Sequence, residues 1–144
     1  MKTDNEPIQC HSQHYYEMAL QTDRRKRVDT PDGYGKRTGE CGDTVEIFLM
    51  VDKSQDRIAK MFFEIDGCIN TSACANTMAI LSEKKTVMDA WEIKPEDIVD
   101  YLEILPQEET HCAELVAGAF YLALSDYKKN KRVPWKKLYQ THGK

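Results

Sequence analysis

The stretch TVEIFLMVDKSQDRIAKMFFEID, Thr44 to Asp66, decides the fold. Val45, Ile47, Leu49 and Val51 alternate with less apolar residues in its first half, and Met61, Phe63 and Ile65 alternate in its second. Side chains on a strand alternate between faces, so each run presents one apolar face. The polar DKSQD between them, Asp52 to Asp56, has the chemistry of a hairpin loop, and the stretch predicts two antiparallel strands.

Downstream the apolar period changes from two to about 3.6, the signature of helices. Ile69, Ala73, Thr77, Ile80 and Leu81 share one face of a first helix. Pro95 suits the first turn of a second, KPEDIVDYLE, whose stripe is Ile98, Val99 and Leu102. The longest starts near Cys112, with Leu115, Val116, Ala119, Phe120 and Ala123 recurring through CAELVAGAFYLALSDYKK. Upstream, Gln13 to Gln21 can form a short helix, and DTPDGYGKRTGE, Asp29 to Glu40, reads as a flexible connection because its Pro and Gly residues break either period. Strands first and helices afterward predict an α+β domain, a small antiparallel sheet with helices on one face. Residues 1–12 read as a flexible N-terminus and 13–144 as that single domain. Trp91 and Trp135 read as core or rim packing.

Composition agrees with one domain. A chain of 144 residues, 41% hydrophobic, supports one ordinary core that removes about 68–70% of the unfolded surface from water. The net charge of -4 and isoelectric point near 5.6 argue against a nucleic-acid binder, which should be basic. The basic runs RRKR (Arg24 to Arg27) and KKNKR (Lys128 to Arg132) read as solvated helix ends, where cations complement the macrodipole. MKTDNEPIQC has no signal-like apolar run, and Ile47 to Val51 is too short to cross a bilayer, so the expected location is the cytoplasm. In a reducing compartment five cysteines are free thiols, metal ligands or reactive groups, and the absence of a CxxC pair argues against zinc ribbons and thioredoxin-like motifs.

Three of the cysteines stand at element boundaries. Cys41 and Asp43, two residues apart, point to the same side as Val45 at the mouth of the first strand. Cys68 follows Gly67 where the second strand gives way to a helix, and Cys112 follows His111 at the start of the long helix. Helix N-termini favour the thiolate through their unpaired amides, and a glycine permits close backbone approach. Three thiols, an imidazole and a carboxylate can form a compact metal or sulfur site. Taken singly, each has a plainer reading. A free cysteine is often a small buried hydrophobe, and an aspartate commonly satisfies the amides of a turn. Cys74, six residues beyond Cys68 on the same helix, points to a different face and is not expected to be a ligand. Cys10, beside His11, gives only a weak metal signal.

CGD at Cys41 to Asp43, GC at Gly67 and Cys68, and LPQEETHC at Leu105 to Cys112, followed by a helix ending in SDYK, resemble the IscU-type iron-sulfur cluster assembly scaffolds, which include the N-terminal domain of NifU. The resemblance covers roughly Gln13 to Lys129. It implies a three-stranded sheet with helices on one face, the third strand near Lys36 to Cys41. It implies that Cys41, Cys68 and Cys112 receive sulfur and hold iron, that Asp43 and His111 are additional or exchangeable ligands, and that Cys112 is the persulfide acceptor. The implied function is a scaffold, not an enzyme. A cysteine desulfurase supplies persulfide, iron arrives separately, and a reductant such as a ferredoxin helps form a transient two-iron, two-sulfur cluster for apo iron-sulfur proteins. Zinc can occupy the same ligands when no cluster is present.

The chain departs from that pattern in one segment. Leu105-Pro106-Gln107-Glu108-Glu109 stands where IscU members carry Leu-Pro-Pro-Val-Lys, and the two acids predict weak or absent binding by the dedicated Hsp70 chaperone. The interval from Cys68 to His111 is short for the insertion of SufU-type relatives, and the further domains of NifU are not expected beyond Lys144. Two other readings remain: a zinc-dependent, SufU-like sulfur-transfer protein, and a structural module that zinc merely stabilises.

Overall fold

The computed structural model describes residues 13–40, 42–103 and 110–132. Helix α1 (Gln13–Leu20) is followed by strands β1 (Gly33–Thr38), β2 (Thr44–Asp52) and β3 (Arg57–Asp66). Helices α2 (Ile69–Ser82), α3 (Val87–Ala90), α4 (Pro95–Leu102) and α5 (Thr110–Arg132) complete the order. The strands form one antiparallel sheet in the order β1-β2-β3, as the α+β reading expects.

The β2–β3 hairpin has the expected faces. Val45, Ile47 and Leu49 are fully buried and pair across the sheet with Ile65, Phe63 and Met61. A register shift between Met50 and Val51 sets Val51 opposite Ile58, which brings an even-numbered residue onto the buried face. One extra residue in one strand is how a bulge reverses the alternation beyond it.

Strand β1 corrects the reading of Asp29 to Glu40 as a connection, and it lies earlier than Lys36 to Cys41. Its sequence, GYGKRT, lacks a strand's usual apolar pattern because α5 packs directly on its glycines. A Cβ at Gly33 would stand 2.4 Å from the Ala123 carbonyl oxygen, and one at Gly35 only 2.2 Å from that of Ala119. Arg37 continues the same row, and its side chain lies over Gly118 of α5.

Two further expectations change. Ile69 is exposed, whereas Thr71 through Ala79 are all buried, so α2 has no single apolar stripe. Contacts with α1, α4, α5 and β3 surround its small side chains, with Ile80 and Leu81 only partly buried at the core's edge. The run Arg24 to Arg27 is not a solvated helix end. The Phe63 N–H donates to the Arg24 carbonyl at 3.0 Å, and Arg25 bridges β3 in parallel, so this run shields the edge of the sheet. Lys26 lies over the Phe62 ring and Arg27 over Phe48, covering apolar surface on the sheet's outer face. Basic side chains along an edge also oppose pairing with other chains. Lys128 to Arg132 does end a helix, and Trp91 is rim packing, 39% exposed and stacked on Tyr121. Trp135 lies outside the described residues.

Arg24 grips Glu83 at 2.8 and 3.0 Å, and the Met61 amide donates to the same carboxylate at 3.1 Å. Burial pushes the Glu83 carboxyl up, but these donors outweigh it and hold the group below the ordinary carboxylate range. A lowered folded pKa contributes stability above the unfolded value, and that stability is lost as pH falls through the folded one. Glu83→Gln is therefore expected to cost about 1–3 kcal/mol at neutral pH and to flatten the acid limb of a melting-temperature profile. An unchanged acid slope would show that the pair contributes nothing.

Candidate metal and sulfur site

The turn between β1 and β2 places the first candidate. The Gly42 N–H donates to the Gly39 carbonyl at 3.0 Å, and the Gly39 N–H donates to the Asp43 carbonyl at 2.9 Å. Gly42 has φ +96°, a conformation that favours glycine. Cys41 itself lies outside the described residues.

Asp43 crosses from this turn to the junction of β3 and α2. Its Oδ2 accepts from the Cys68 N–H at 3.2 Å and from the Thr71 hydroxyl at 2.8 Å. The carboxylate thus anchors the start of α2, where Cys68 is the N-cap residue. Gly67 makes the approach possible, because a Cβ there would stand 2.4 Å from Asp43 Cγ. Gly67→Ala is accordingly expected to displace the carboxylate and weaken metal binding by roughly 10–100-fold in a zinc titration, the usual scale for disturbed ligand support. Unchanged affinity would mean that Asp43 does not contribute.

The third group arrives on α5. Cys112, in its first turn, is fully buried and projects toward the same point. One carboxylate oxygen of Asp43 and the Sγ atoms of Cys68 and Cys112 all lie within 4.8 Å of one another. Bonds of about 2.0–2.3 Å place the donors of a tetrahedral ion roughly 3.5 Å apart, so a small contraction closes this triangle around a metal. Two thiolates and a carboxylate suit zinc or iron, and the donor set fits either.

The remaining candidates are arranged differently. His111 is exposed beside this triangle, its Nε2 3.8 Å from Cys112 Sγ. Cys74 is buried in the core and is not among the clustered donors, and Cys10 lies outside the described residues. Sequence reasoning missed Thr71, whose hydroxyl lies 2.8 Å from the carboxylate and 3.5 Å from Cys68 Sγ. Its position three residues after Cys68 is where a side chain meets a helix start, which is the available signal. A groove of about 580 Å³ adjoins the site, lined by Arg37, Glu40, His111 and Glu114 among others. Leu105 to Glu109, the segment bearing on chaperone recognition, lies outside the described residues.

Similarity to known proteins was found at each level of comparison. The iron-sulfur cluster assembly scaffold protein IscU 1 of Archaeoglobus fulgidus is 28% identical over 109 residues, covering 74% of this chain and 70% of that protein. The mitochondrial iron sulfur cluster assembly protein 1 of Eremothecium gossypii is 33% identical over 92 residues, 64% of this chain and 59% of the other. The fold resembles a Fervidobacterium islandicum protein named as a cluster assembly scaffold of the SUF system, with TM-score 0.66 and 17% identity, covering 83% of this chain and 99% of that one. The description "NifU-like N terminal domain" matches residues 25–133, and the chain belongs to that family.

Proposed function

We propose that this chain is a scaffold on which a two-iron cluster is assembled and from which it passes to apo iron-sulfur proteins. The observation that carries this reading is the convergence of Asp43, Cys68 and Cys112, a donor set with two soft sulfurs and one hard oxygen. Cys41 and His111 complete the proposed ligand group. The names of the relatives and the family match support the same reading.

In this proposal a cysteine desulfurase delivers sulfane sulfur to Cys112 as a persulfide. Converting that sulfur to bridging sulfide takes two electrons, which a reductant such as a ferredoxin supplies. Cys112 is fully buried behind the exposed Cys68, so delivery requires the mouth of the site to open. Mass spectrometry after reaction with a desulfurase should find the added sulfur on Cys112. A persulfide confined to Cys68 would reassign the acceptor. The chain acts as carrier and scaffold rather than as an enzyme in this account. Among the described residues no helix is long and apolar enough to cross a membrane, and we place the protein in the reducing cytoplasm.

Asp43 has two proposed roles that substitution can separate. Asp43→Asn keeps an oxygen acceptor for the Cys68 and Thr71 donors but removes the charge, whereas Asp43→Ala removes both. The alanine variant should lose about 1 kcal/mol of stability, the usual cost of a lost helix cap. Both variants should slow cluster transfer to an apo acceptor, because the hard, readily exchanged anionic carboxylate is gone from both. If both transfer at the parental rate, Asp43 serves only to tie down the turn. Anaerobic incubation with ferrous iron, a desulfurase and cysteine tests the function itself. Visible charge-transfer absorption supports assembly, persulfide without a cluster supports sulfur transfer, and neither supports a zinc-stabilised structural module.

A further inference from the structure

A helix start leaves its first backbone amides without partners inside the helix, and the N-cap side chain commonly accepts from one of them. Cys68 stands at the N-cap of α2, and its side chain makes no such bond. The Cys68 N–H instead donates at 3.2 Å to Oδ2 of Asp43, which arrives from the β1–β2 turn. In a capping box the third helical residue sends its own carboxylate or amide back to that N–H. Here the third residue is Thr71, and its hydroxyl donates to the same Oδ2 at 2.8 Å. A carboxylate from another element therefore takes the acceptor's place, and a threonine on the helix holds it there. The Cys68 thiol is left out of the capping, with its Sγ 3.5 Å from the Thr71 hydroxyl oxygen.

Thr71 is fully buried, so its hydroxyl is costly to leave unmatched. A hydroxyl has one proton to give, and a carboxylate oxygen has two lone-pair directions. With the Cys68 N–H and the Thr71 hydroxyl both on Oδ2, those directions are engaged, and coordination of a metal by this carboxylate falls to Oδ1. We propose that Thr71 is a positioning residue of the metal site: its hydroxyl fixes the Asp43 carboxylate through Oδ2, so that the carboxylate meets a metal in one set orientation beside Cys68 and Cys112. Thr71 acts through Asp43 and is not itself a ligand. The role rests on the ligand group proposed above. It also explains why a polar side chain is buried on the first turn of α2, facing the two donors that it keeps in register. Hydrogen-bonded support of this kind typically changes metal affinity by roughly 10–100-fold when it is removed.

Cobalt(II) added anaerobically to the full, reduced chain reports on the site through its thiolate-to-metal charge-transfer band, whether or not a cluster can be assembled. Thr71→Val keeps the branched shape and removes the hydroxyl, and it should weaken cobalt(II) binding by roughly 10–100-fold. Thr71→Ser restores the donor and should bind close to the parent. In an Asp43→Ala background, Thr71→Val should cause little further loss, because the group it positions is gone. Thermal melts establish that each variant is folded. If the valine variant does not fold, Thr71→Ala removes the same donor with a better helix former and carries the same expectation. Parental affinity in Thr71→Val would overturn the role. Equal losses from valine and serine would assign Thr71 to packing alone, and a full further loss in the Asp43→Ala background would show that it does not act through that carboxylate. A parent chain that binds no cobalt(II) would overturn the ligand group and this role with it. Cobalt(II) binding that follows the expected pattern in a chain that assembles no cluster would support the role and defeat only the scaffold reading.

Discussion

Cys68→Ser should leave a folded chain that forms no stable iron-sulfur cluster. The residue is exposed at the N-cap of α2, and among the described residues its Sγ makes a 3.5 Å contact with the Thr71 hydroxyl, so replacing sulfur with oxygen removes little packing. It does remove one of the two soft donors that cluster among the described residues, where Cys112 and the Asp43 carboxylate are the others of the group. Loss of a proposed direct ligand should weaken zinc binding by more than the roughly 10–100-fold typical of changes around a ligand. Cys74→Ser is the matched control. That residue is buried in the core, so its serine should cost about 1–3 kcal/mol by placing a more polar hydroxyl where a thiol was buried, while leaving assembly intact. Thermal melts beside iron and sulfide analysis separate the two effects. Parental cluster content in Cys68→Ser, or its loss in a folded Cys74→Ser, would contradict the assignment.

Gly35→Ala should cause the largest loss of stability. The new methyl would sit 2.2 Å from the Ala119 carbonyl oxygen and 2.6 Å from the Ala123 nitrogen, both backbone atoms of α5. Backbone cannot swing aside as a side-chain tip can, so the helix must lift from β1. Overpacking of this kind costs typically 1–3 kcal/mol and occasionally more, and contact with two backbone atoms places this case at about 3 kcal/mol or above. That is a large share of a domain's total stability of about 5–15 kcal/mol. The melting temperature should fall by roughly 10 °C. Cys112 rides on the same helix, so metal affinity should fall as well. Urea unfolding checks the first effect, and parental stability would show that α5 accommodates the methyl without lifting.

The contrast between Gly35 and the β2–β3 hairpin shows what was legible in the sequence. Alternating apolar residues revealed β2 and β3 because each has one buried face, a pattern that survives without knowledge of the partner. Strand β1 hid because its inward positions are Gly33, Gly35 and Arg37, selected for close helix contact rather than for apolar area. Helix α2 was found but its face was misread. Small side chains buried on several sides leave no stripe, and the exposed Ile69 supplied a false one. Helix α3 went unnoticed because four residues are too few to show a period. Its signal was local: the Thr86 hydroxyl accepts from the Asp89 N–H at 3.1 Å. The run Arg24 to Arg27 looked solvated because charge alone does not reveal that its guanidinium groups bind Glu83, Glu46 and the Ile65 carbonyl.

The candidate site was more legible than the helix faces. Asp43, Cys68 and Cys112 all stand at boundaries between elements, and the fold brings those boundaries to one end of the sheet. The sequence did not reveal the depth order, in which Cys68 is exposed and Cys112 fully buried. Nor did it reveal that Gly67 makes room for the Asp43 carboxylate. Both depend on how α5 and the β1–β2 turn meet, which is set by tertiary packing.

Iron-edge X-ray absorption on the anaerobically reconstituted chain tests the central claim most directly. The account predicts a sulfur-dominated shell with an iron neighbour and a light-atom ligand, and the light-atom contribution should shrink in Asp43→Ala. Iron bound only by light atoms, or a light-atom shell identical in the parent and in Asp43→Ala, would contradict it.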